Sequence, residues 1–201
     1  YTDLFKRFAT YCKVENRIAS GGLGHDMEWT ETLMRKTQPY QSLIQGMSYH
    51  HYTVCHTWDS KGSATDFTKE DWFSTISRNI EMEENLKAHM AIMDKYDPKK
   101  KIGLMADEWG NWHDVEPGTN PGFLYQQNTM RDAITASIYL NAFNNHCDRV
   151  KMANIAQTVN VLQAMVLTQG DKMVKTPTFY VFKMYKVHYD ALLLPVDITC
   201  E

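Results

Sequence analysis

The spacing of hydrophobic residues alternates along the chain between the period of a helix and that of a buried strand. Near the start, Leu4, Phe8 and Tyr11 recur every three or four residues, as on the buried face of an amphipathic helix. A longer helix begins at the capping-box-like pair Thr68 and Asp71. The pattern predicts helices at the N-terminus and over residues 28–36, 68–96, 127–146 and 177–187.

Short apolar runs of strand length lie between these helices, over residues 16–20, 43–53, 102–109 and 149–157. The predicted order is a helix followed by strand and helix alternating four times, which implies parallel strands with right-handed crossovers. The predicted fold class is therefore α/β. Four such strands are half of a (β/α)8 TIM barrel, since a whole one needs roughly 250 residues. An open four-stranded parallel sheet is the structural alternative.

Length, charge and cysteine usage exclude several classes of protein. The 201 residues suffice for one sizeable core and are too few for two ordinary domains. A net charge of -3 predicts neither nucleic acid nor membrane as a partner. The four cysteines show no CxxC spacing, which predicts free thiols in a reducing compartment and hence a cytoplasmic protein. No apolar run reaches transmembrane length, and no signal peptide is evident.

Polar and aromatic residues end three of the predicted strands, over 48–52, 107–109 and 154–157. In a parallel α/β barrel the reactive groups gather at these ends. Glu108 follows an apolar run, so its charge must be paired or functional, and spacing alone leaves a core salt bridge open. Because glycosidases combine carboxylates with aromatic rings that stack on sugars, Glu108 beside Trp109 and Trp112 favours carbohydrate chemistry. Either indole could equally belong to the core.

Metal and nucleotide sites are weakly indicated. His50 and His51 suggest a metal site with His56 nearby, but neighbouring residues on a strand point to opposite faces. The glycines at 21–24 match neither GxGxxG nor a P-loop. We therefore predict no metal and no cofactor.

Four stretches resemble glycoside hydrolase family 51, the α-L-arabinofuranosidases, and the likeness continues between them over nearly the whole chain. The stretch at 105–112 reads MADEWGNW and is similar to the family's nucleophile strand; the others are 116–133, 148–157 and 176–182. The resemblance implies retaining removal of terminal α-L-arabinofuranosyl groups from arabinan and arabinoxylan, which are hemicelluloses. The implied partners are arabinose-containing oligo- and polysaccharides.

The resemblance also implies roles for individual catalytic residues. Glu108 would be the nucleophile, Tyr52 would hold it by a hydrogen bond, and His50 would lie in the same catalytic neighbourhood. His51 stands where the family commonly has Tyr. We expect its side chain to face away from the pocket.

Four further residues are predicted to bind substrate. By resemblance, Gln157 would contact the sugar ring and Trp112 would line the leaving-group side. Trp109 and Asn154 are expected in the same pocket because they end predicted strands.

One family motif is missing from the sequence, namely the Gly-Asn-Glu that carries the acid/base carboxylate. The expectation is a half barrel over residues 1–190 and a lead towards a β-sandwich over 191–201. Because a half barrel exposes two sheet edges and an apolar interior, we predict a homodimer that closes an eight-stranded barrel. Two alternatives stay open: a weakly active or inactive half barrel that keeps sugar binding or self-association, and a metal- or protein-binding half barrel.

Overall fold

Four parallel strands form one sheet in the computed structural model, which describes residues 1–196 and 198–200. They are hydrogen-bonded in sequence order, and each pair is parallel. The strands are β1 (Ile18–Ala19), β2 (Gly46–Thr53), β3 (Gly103–Asn111) and β4 (Val150–Ala153). The prediction of four parallel strands with helices is confirmed. β4 is shorter than predicted, because the chain leaves the strand after Ala153.

Over the described residues, five α-helices lie where the hydrophobic spacing predicts them: α1 (Thr2–Ala9), α2 (Met27–Thr37), α3 (Lys69–Tyr96), α4 (Met130–Asn145) and α5 (Pro177–Tyr185). The prediction that Leu4, Phe8 and Tyr11 form a buried face is wrong, because all three are more than half exposed. Capping boxes begin two of them, at Thr68 with Asp71 for α3 and at Thr129 with Asp132 for α4. The sequence pattern missed an antiparallel hairpin of β5 (Val166–Gln169) and β6 (Lys172–Lys175) between β4 and α5.

The helices pack on one face of the sheet, and alternation along the strands decides which side chains meet them. On that face Tyr49 donates a hydrogen bond to Asn85 of α3 at 2.8 Å. Trp109 stacks against Tyr139 of α4 and Phe182 of α5. The core lies between this face and the helices. Ser48, His50 and Tyr52 alternate with these positions and point to the opposite face, which corresponds to a barrel interior.

A register shift between β2 and β3 changes this alternation at the point where the chemistry is expected. Ser48 pairs with Met105 and His50 pairs with Glu108, so β3 has one more residue than β2 over this interval. An extra residue of this kind is a β-bulge, which re-aims side chains and is common next to active sites. The bulge lets Asp107 and Glu108, adjacent in sequence, both contact His50 on the interior face.

A buried ion network fixes the end of the sheet opposite the candidate site. The guanidinium of Arg149, fully buried, donates to Asp97 Oδ2 and to the carbonyl of Ile102, each at 2.8 Å, and also pairs with Asp94. These contacts join the end of α3 to the starts of β3 and β4, and thereby set where the strands begin.

The C-terminal tail contains no helix or strand over 191–196 and 198–200. Asp197 and Glu201, which belong to the predicted lead over 191–201, lie outside the described residues, and that domain assignment stays a prediction. Among the helices the structure describes, none combines the length and apolar character that a bilayer crossing requires.

Candidate active site

A cleft of about 700 Å³ opens where β2 and β3 end, and the predicted nucleophile lies in its wall. Strand ends, the loop after β2 and the segment before α2 contribute the lining, which includes Leu23, His25, Asp26, His50, Tyr52, Trp58, Glu108 and Trp112. The structure thus brings together four of the residues singled out from sequence, namely Glu108, His50, Tyr52 and Trp112.

His50 lies between two carboxylates. Its Nδ1 is 3.0 Å from Oε2 of Glu108, and its Nε2 is 3.2 Å from Oδ1 of Asp107. Ser48 completes the group, since its hydroxyl donates to the same Asp107 oxygen at 2.7 Å and lies 3.1 Å from His50 Nε2. The side chain of Glu108 is 38% exposed, so this carboxylate is both held and open to the cleft.

Tyr52 interacts with the same carboxylate. Burial raises the pKa of the Tyr52 phenol, and the negative charge of Glu108 together with a hydrogen bond to it raises that pKa further. The phenol therefore stays protonated and can donate to Glu108 throughout the physiological pH range. A carboxylate held by an imidazole and a phenol is oriented for attack.

Aromatic rings form the outer wall of the cleft. The Tyr52 and Trp112 rings meet edge to face with centroids 4.9 Å apart, and Trp58 meets Trp112 in the same way at 5.9 Å. Indole faces of this kind stack on sugar rings. Sequence reasoning missed Trp58, because a single Trp in the loop after a strand carries no spacing signal.

The structure contradicts the prediction that Trp109 binds substrate. Trp109 has no exposed surface, and its ring packs on Tyr139, Phe143 and Phe182 between the sheet and the helices. The bulge before it leaves Glu108 on the interior face and turns Trp109 to the helix face. Trp109 is a core residue.

Asn154 and Gln157 are not among the residues that line the Glu108 cleft. The Asn154 amide nitrogen contacts Met152 Sδ at 3.0 Å at an exposed position, and the Asn154 backbone extends the pairing with β3. Gln157 lines a different groove of about 920 Å³. The same groove is lined by Leu124 and by Val174, which belongs to the β5–β6 hairpin. The predicted sugar contacts of Asn154 and Gln157 therefore require a saccharide that extends beyond the cleft.

The expectation that His51 faces away from the pocket holds only in part, because the residue also lines the cleft. Its Nδ1 lies 2.5 Å from the hydroxyl of Tyr139, on the helix side of the sheet. Burial lowers the pKa of His51 to about 4, with smaller contributions from His25 and His89. His51 is thus a neutral part of the core network at pH 7.

A second group of polar side chains lies where α3 begins. Cys55, His56 and Asp71 place one sulfur, one nitrogen and one oxygen within 4.8 Å of one another. Hydrogen bonding accounts for the group, because Asp71 caps α3 and accepts from Thr68 at 2.9 Å while contacting His56 at 3.3 Å. The buried Arg131 guanidinium interacts electrostatically with both Cys55 and Asp71, and its charge disfavours a bound cation there.

The cleft can therefore provide a nucleophilic carboxylate, its two orienting partners and an aromatic wall. Retaining glycosidases need a second carboxyl group about 5–5.5 Å from the first. Of the other carboxylates here, Asp107 is engaged by Ser48 and His50, and Asp26 accepts from the Trp29 amide at 2.9 Å to cap α2. Both carboxylates therefore already have hydrogen-bonding roles.

Comparison with known proteins gives consistent similarities. Residues 107–201 match the family model described as the alpha-L-arabinofuranosidase C-terminal domain. The chain is 53% identical over its whole length to an intracellular exo-alpha-L-arabinofuranosidase of Bacteroides ovatus, of which it spans 40%. It is 26% identical, over 90% of its length, to an intracellular exo-alpha-(1->5)-L-arabinofuranosidase of Streptomyces lividans, of which it spans 28%.

Solved structures agree with the sequence relatives. The crystal structure of the GH51 arabinofuranosidase from Xanthomonas axonopodis pv. citri superposes with a TM-score of 0.88 and 49% identity, over 92% of this chain and 38% of that one. The α-L-arabinofuranosidase of Thermotoga maritima, at 22% identity and a TM-score of 0.69, shares the fold. The chain thus corresponds to a part of each of these proteins.

Proposed function

This chain belongs to glycoside hydrolase family 51, and from that premise we propose that it is the C-terminal half of an α-L-arabinofuranosidase barrel with Glu108 as the nucleophile. The observation that carries the proposal is the position of Glu108. Its carboxylate lies 3.0 Å from His50 Nδ1, contacts the Tyr52 phenol and opens into a cleft walled by Trp58 and Trp112. A carboxylate that served only in a core salt bridge would not need to open into a cleft.

The chemistry follows the retaining route. A Glu108 oxygen attacks the anomeric carbon as the bond to the leaving oxygen breaks, and a glycosyl ester forms. The leaving oxygen takes a proton from a general acid, or departs as a stable anion when its own conjugate acid is strong. Water then attacks the ester and restores the Glu108 carboxylate. His50 and Tyr52 keep the carboxylate oriented during both steps.

The substrates we propose are terminal α-L-arabinofuranosyl groups of arabinan and arabinoxylan. A furanose ring is small and presents one apolar face, which suits an aromatic wall such as Trp112 with Trp58. Gln157 and Asn154 would contribute where a sugar chain extends past the cleft. By analogy with the Bacteroides ovatus relative, whose name calls it intracellular, we propose an intracellular location.

An aryl α-L-arabinofuranoside tests this proposal, because its phenolate leaves with little help from an acid. We expect turnover by the chain and its loss, by about 10³-fold or more, in Glu108→Gln. Glu84→Gln, which removes a carboxylate 78% exposed on α3, serves as the control and should retain the rate. Turnover that survives Glu108→Gln would remove this residue from the mechanism.

A second candidate function is sugar binding without efficient turnover. It is favoured by the engagement of Asp107 and Asp26, which leaves natural glycosides without an acid from this cleft. General acids contribute about 10²–10⁴-fold, so their loss would leave little hydrolysis of a natural polymer. Calorimetric titration with arabino-oligosaccharides would then show binding that Trp112→Ala abolishes, with no product released.

The proposal includes completion of the sheet by a second copy. β1 and β4 are edge strands, each paired on one side within the sheet, and unpaired edges favour association. Twofold pairing of β1 with the partner's β4 would close eight strands. Light scattering at micromolar concentration should give the mass of a dimer, and a stable monomer would contradict this arrangement.

A further inference from the structure

We propose that Asp107 and Ser48 are positioning residues for the nucleophile, acting through His50. The inference rests on the proposed function and extends it to two residues that do not face the sugar themselves. Asp107 and Ser48 hold one edge of the imidazole, so that the other edge presents Nδ1 to Glu108.

The geometry constrains the ring from both ends. His50 Nε2 lies 3.2 Å from Asp107 Oδ1 and 3.1 Å from Ser48 Oγ, while Nδ1 lies 3.0 Å from Glu108 Oε2. A flip of the ring by 180° would place carbon atoms against both carboxylates and lose every one of these contacts. The ring plane is therefore fixed by three oxygen partners at once.

Charge fixes the direction of the Asp107 contact. A carboxylate can only accept hydrogen bonds, so a ring N–H is the donor wherever His50 hydrogen-bonds to Asp107 or to Glu108. The Ser48 hydroxyl donates to the same Asp107 oxygen at 2.7 Å, which leaves the Ser48 oxygen free to accept. Asp107 and Ser48 thus hold the Nε2 edge of the His50 ring and set its orientation.

The bulge in β3 makes the arrangement possible. In a regular strand Asp107 and Glu108 would point to opposite faces, and a single imidazole could not contact both. The extra residue between the pairs Ser48–Met105 and His50–Glu108 brings both carboxylates to the interior face. The bulge therefore places both carboxylates against His50, which the burial of core side chains alone would not require.

The effect on catalysis should appear in the rate of bond formation. Misplacing a reacting group by about 1 Å can cost roughly 10²-fold, whereas sugar affinity depends mainly on the aromatic wall. Losing the Asp107 or Ser48 contact should therefore slow attack by Glu108 and leave binding nearly unchanged.

A covalent trap measures these two quantities separately in the chain as it exists. A 2,4-dinitrophenyl 2-deoxy-2-fluoro-α-L-arabinofuranoside is attacked by the nucleophile carboxylate; the anomeric C–O bond breaks, a glycosyl ester forms and the dinitrophenolate departs as a stable anion that needs no acid. Intact-mass spectrometry then gives both the first-order labelling rate and the half-saturating concentration, and peptide mapping identifies the labelled residue. We expect a single label on Glu108.

Asp107→Asn and Ser48→Ala should each lower the first-order labelling rate by about tenfold or more, with the half-saturating concentration unchanged within about twofold. Asp171→Asn, in the exposed turn of the β5–β6 hairpin, is the control and should label like the unaltered chain. Thermal unfolding of each variant separates loss of positioning from loss of fold.

The outcomes distinguish the two proposals. Absence of a Glu108 label in the unaltered chain would overturn the proposed nucleophile and this inference with it. Labelling of Glu108 at equal rates in all variants would overturn the positioning role and leave the nucleophile in place. Parallel loss of rate, affinity and thermal stability would show a structural role and also contradict positioning.

Discussion

Trp109 and Tyr139 stack across the junction of β3 and α4, with ring centroids 5.2 Å apart and planes inclined by 14°. Trp109 follows the proposed nucleophile directly in sequence but faces the opposite side of the sheet. Its neighbour in the same motif, Trp112, lines the cleft. The two indoles of this short motif therefore have separate roles. Substituting each of them in turn can distinguish these roles.

Trp109→Ala should lower the free energy of unfolding by about 3–5 kcal/mol, because it leaves a large cavity in the core. Trp112→Ala should change stability far less and should weaken binding of arabinofuranosides. Chemical denaturation and sugar titration of both variants check this division. Equal losses of stability in the two would contradict it.

Arg149→Ala should be among the most destabilising substitutions of a charged residue. It leaves the carboxylate of Asp97, itself buried, without its guanidinium partner, and breaking a buried pair costs about 3–5 kcal/mol. Lys100→Ala removes a more exposed pair with Asp148 and should cost about 1 kcal/mol or less. Urea denaturation at pH 7 measures both.

Stability should fall as the pH drops from about 6.5 to about 4. Folding lowers the pKa of His51 from 6.5 to about 4 through burial, so in this window the unfolded chain binds a proton that the folded chain excludes. The contribution is present above pH 6.5 and is lost by about pH 4, with a size on the order of 3 kcal/mol. The lowered pKa of His89 acts in the same direction.

Denaturation curves collected from pH 4 to pH 8 test this dependence. His51→Gln keeps a polar side chain beside Tyr139 and should flatten the slope between pH 4 and pH 6.5. A slope that is the same in the variant and the unaltered chain would exclude His51 as the source.

Gly110→Ala should destabilise the strand end that carries Glu108. Gly110 has φ +133°, and a Cβ there would lie 2.4 Å from the Gln163 side chain, whose amide donates to the backbone carbonyls of Trp109 in β3 and of Ala156 after β4. Strain of this kind costs about 1–3 kcal/mol before the clash is counted. Gly118→Ala, at φ +80° with open space around it, should show the strain alone. Thermal unfolding compares the two.

Several features of the site could be read from the sequence because they depend on local order. Glu108 and Tyr52 each follow an apolar strand, and parallel strands place their carboxyl ends at one edge. That rule is enough to bring the two residues into one cleft. It does not specify which side chain of a motif faces the cleft, and for this reason the sequence predicts Trp109 in the pocket whereas the structure buries it in the core.

The sequence by itself determined the α/β class, the order of the helices and strands and the motif that carries Glu108, because hydrophobic period and capping residues act over a few neighbouring positions. Tertiary structure alone decided the bulge that turns Asp107 and Glu108 to one face, the burial of Trp109 and the arrival of Trp58 at the cleft. These depend on pairing and packing between segments distant in sequence, whose register no local pattern specifies.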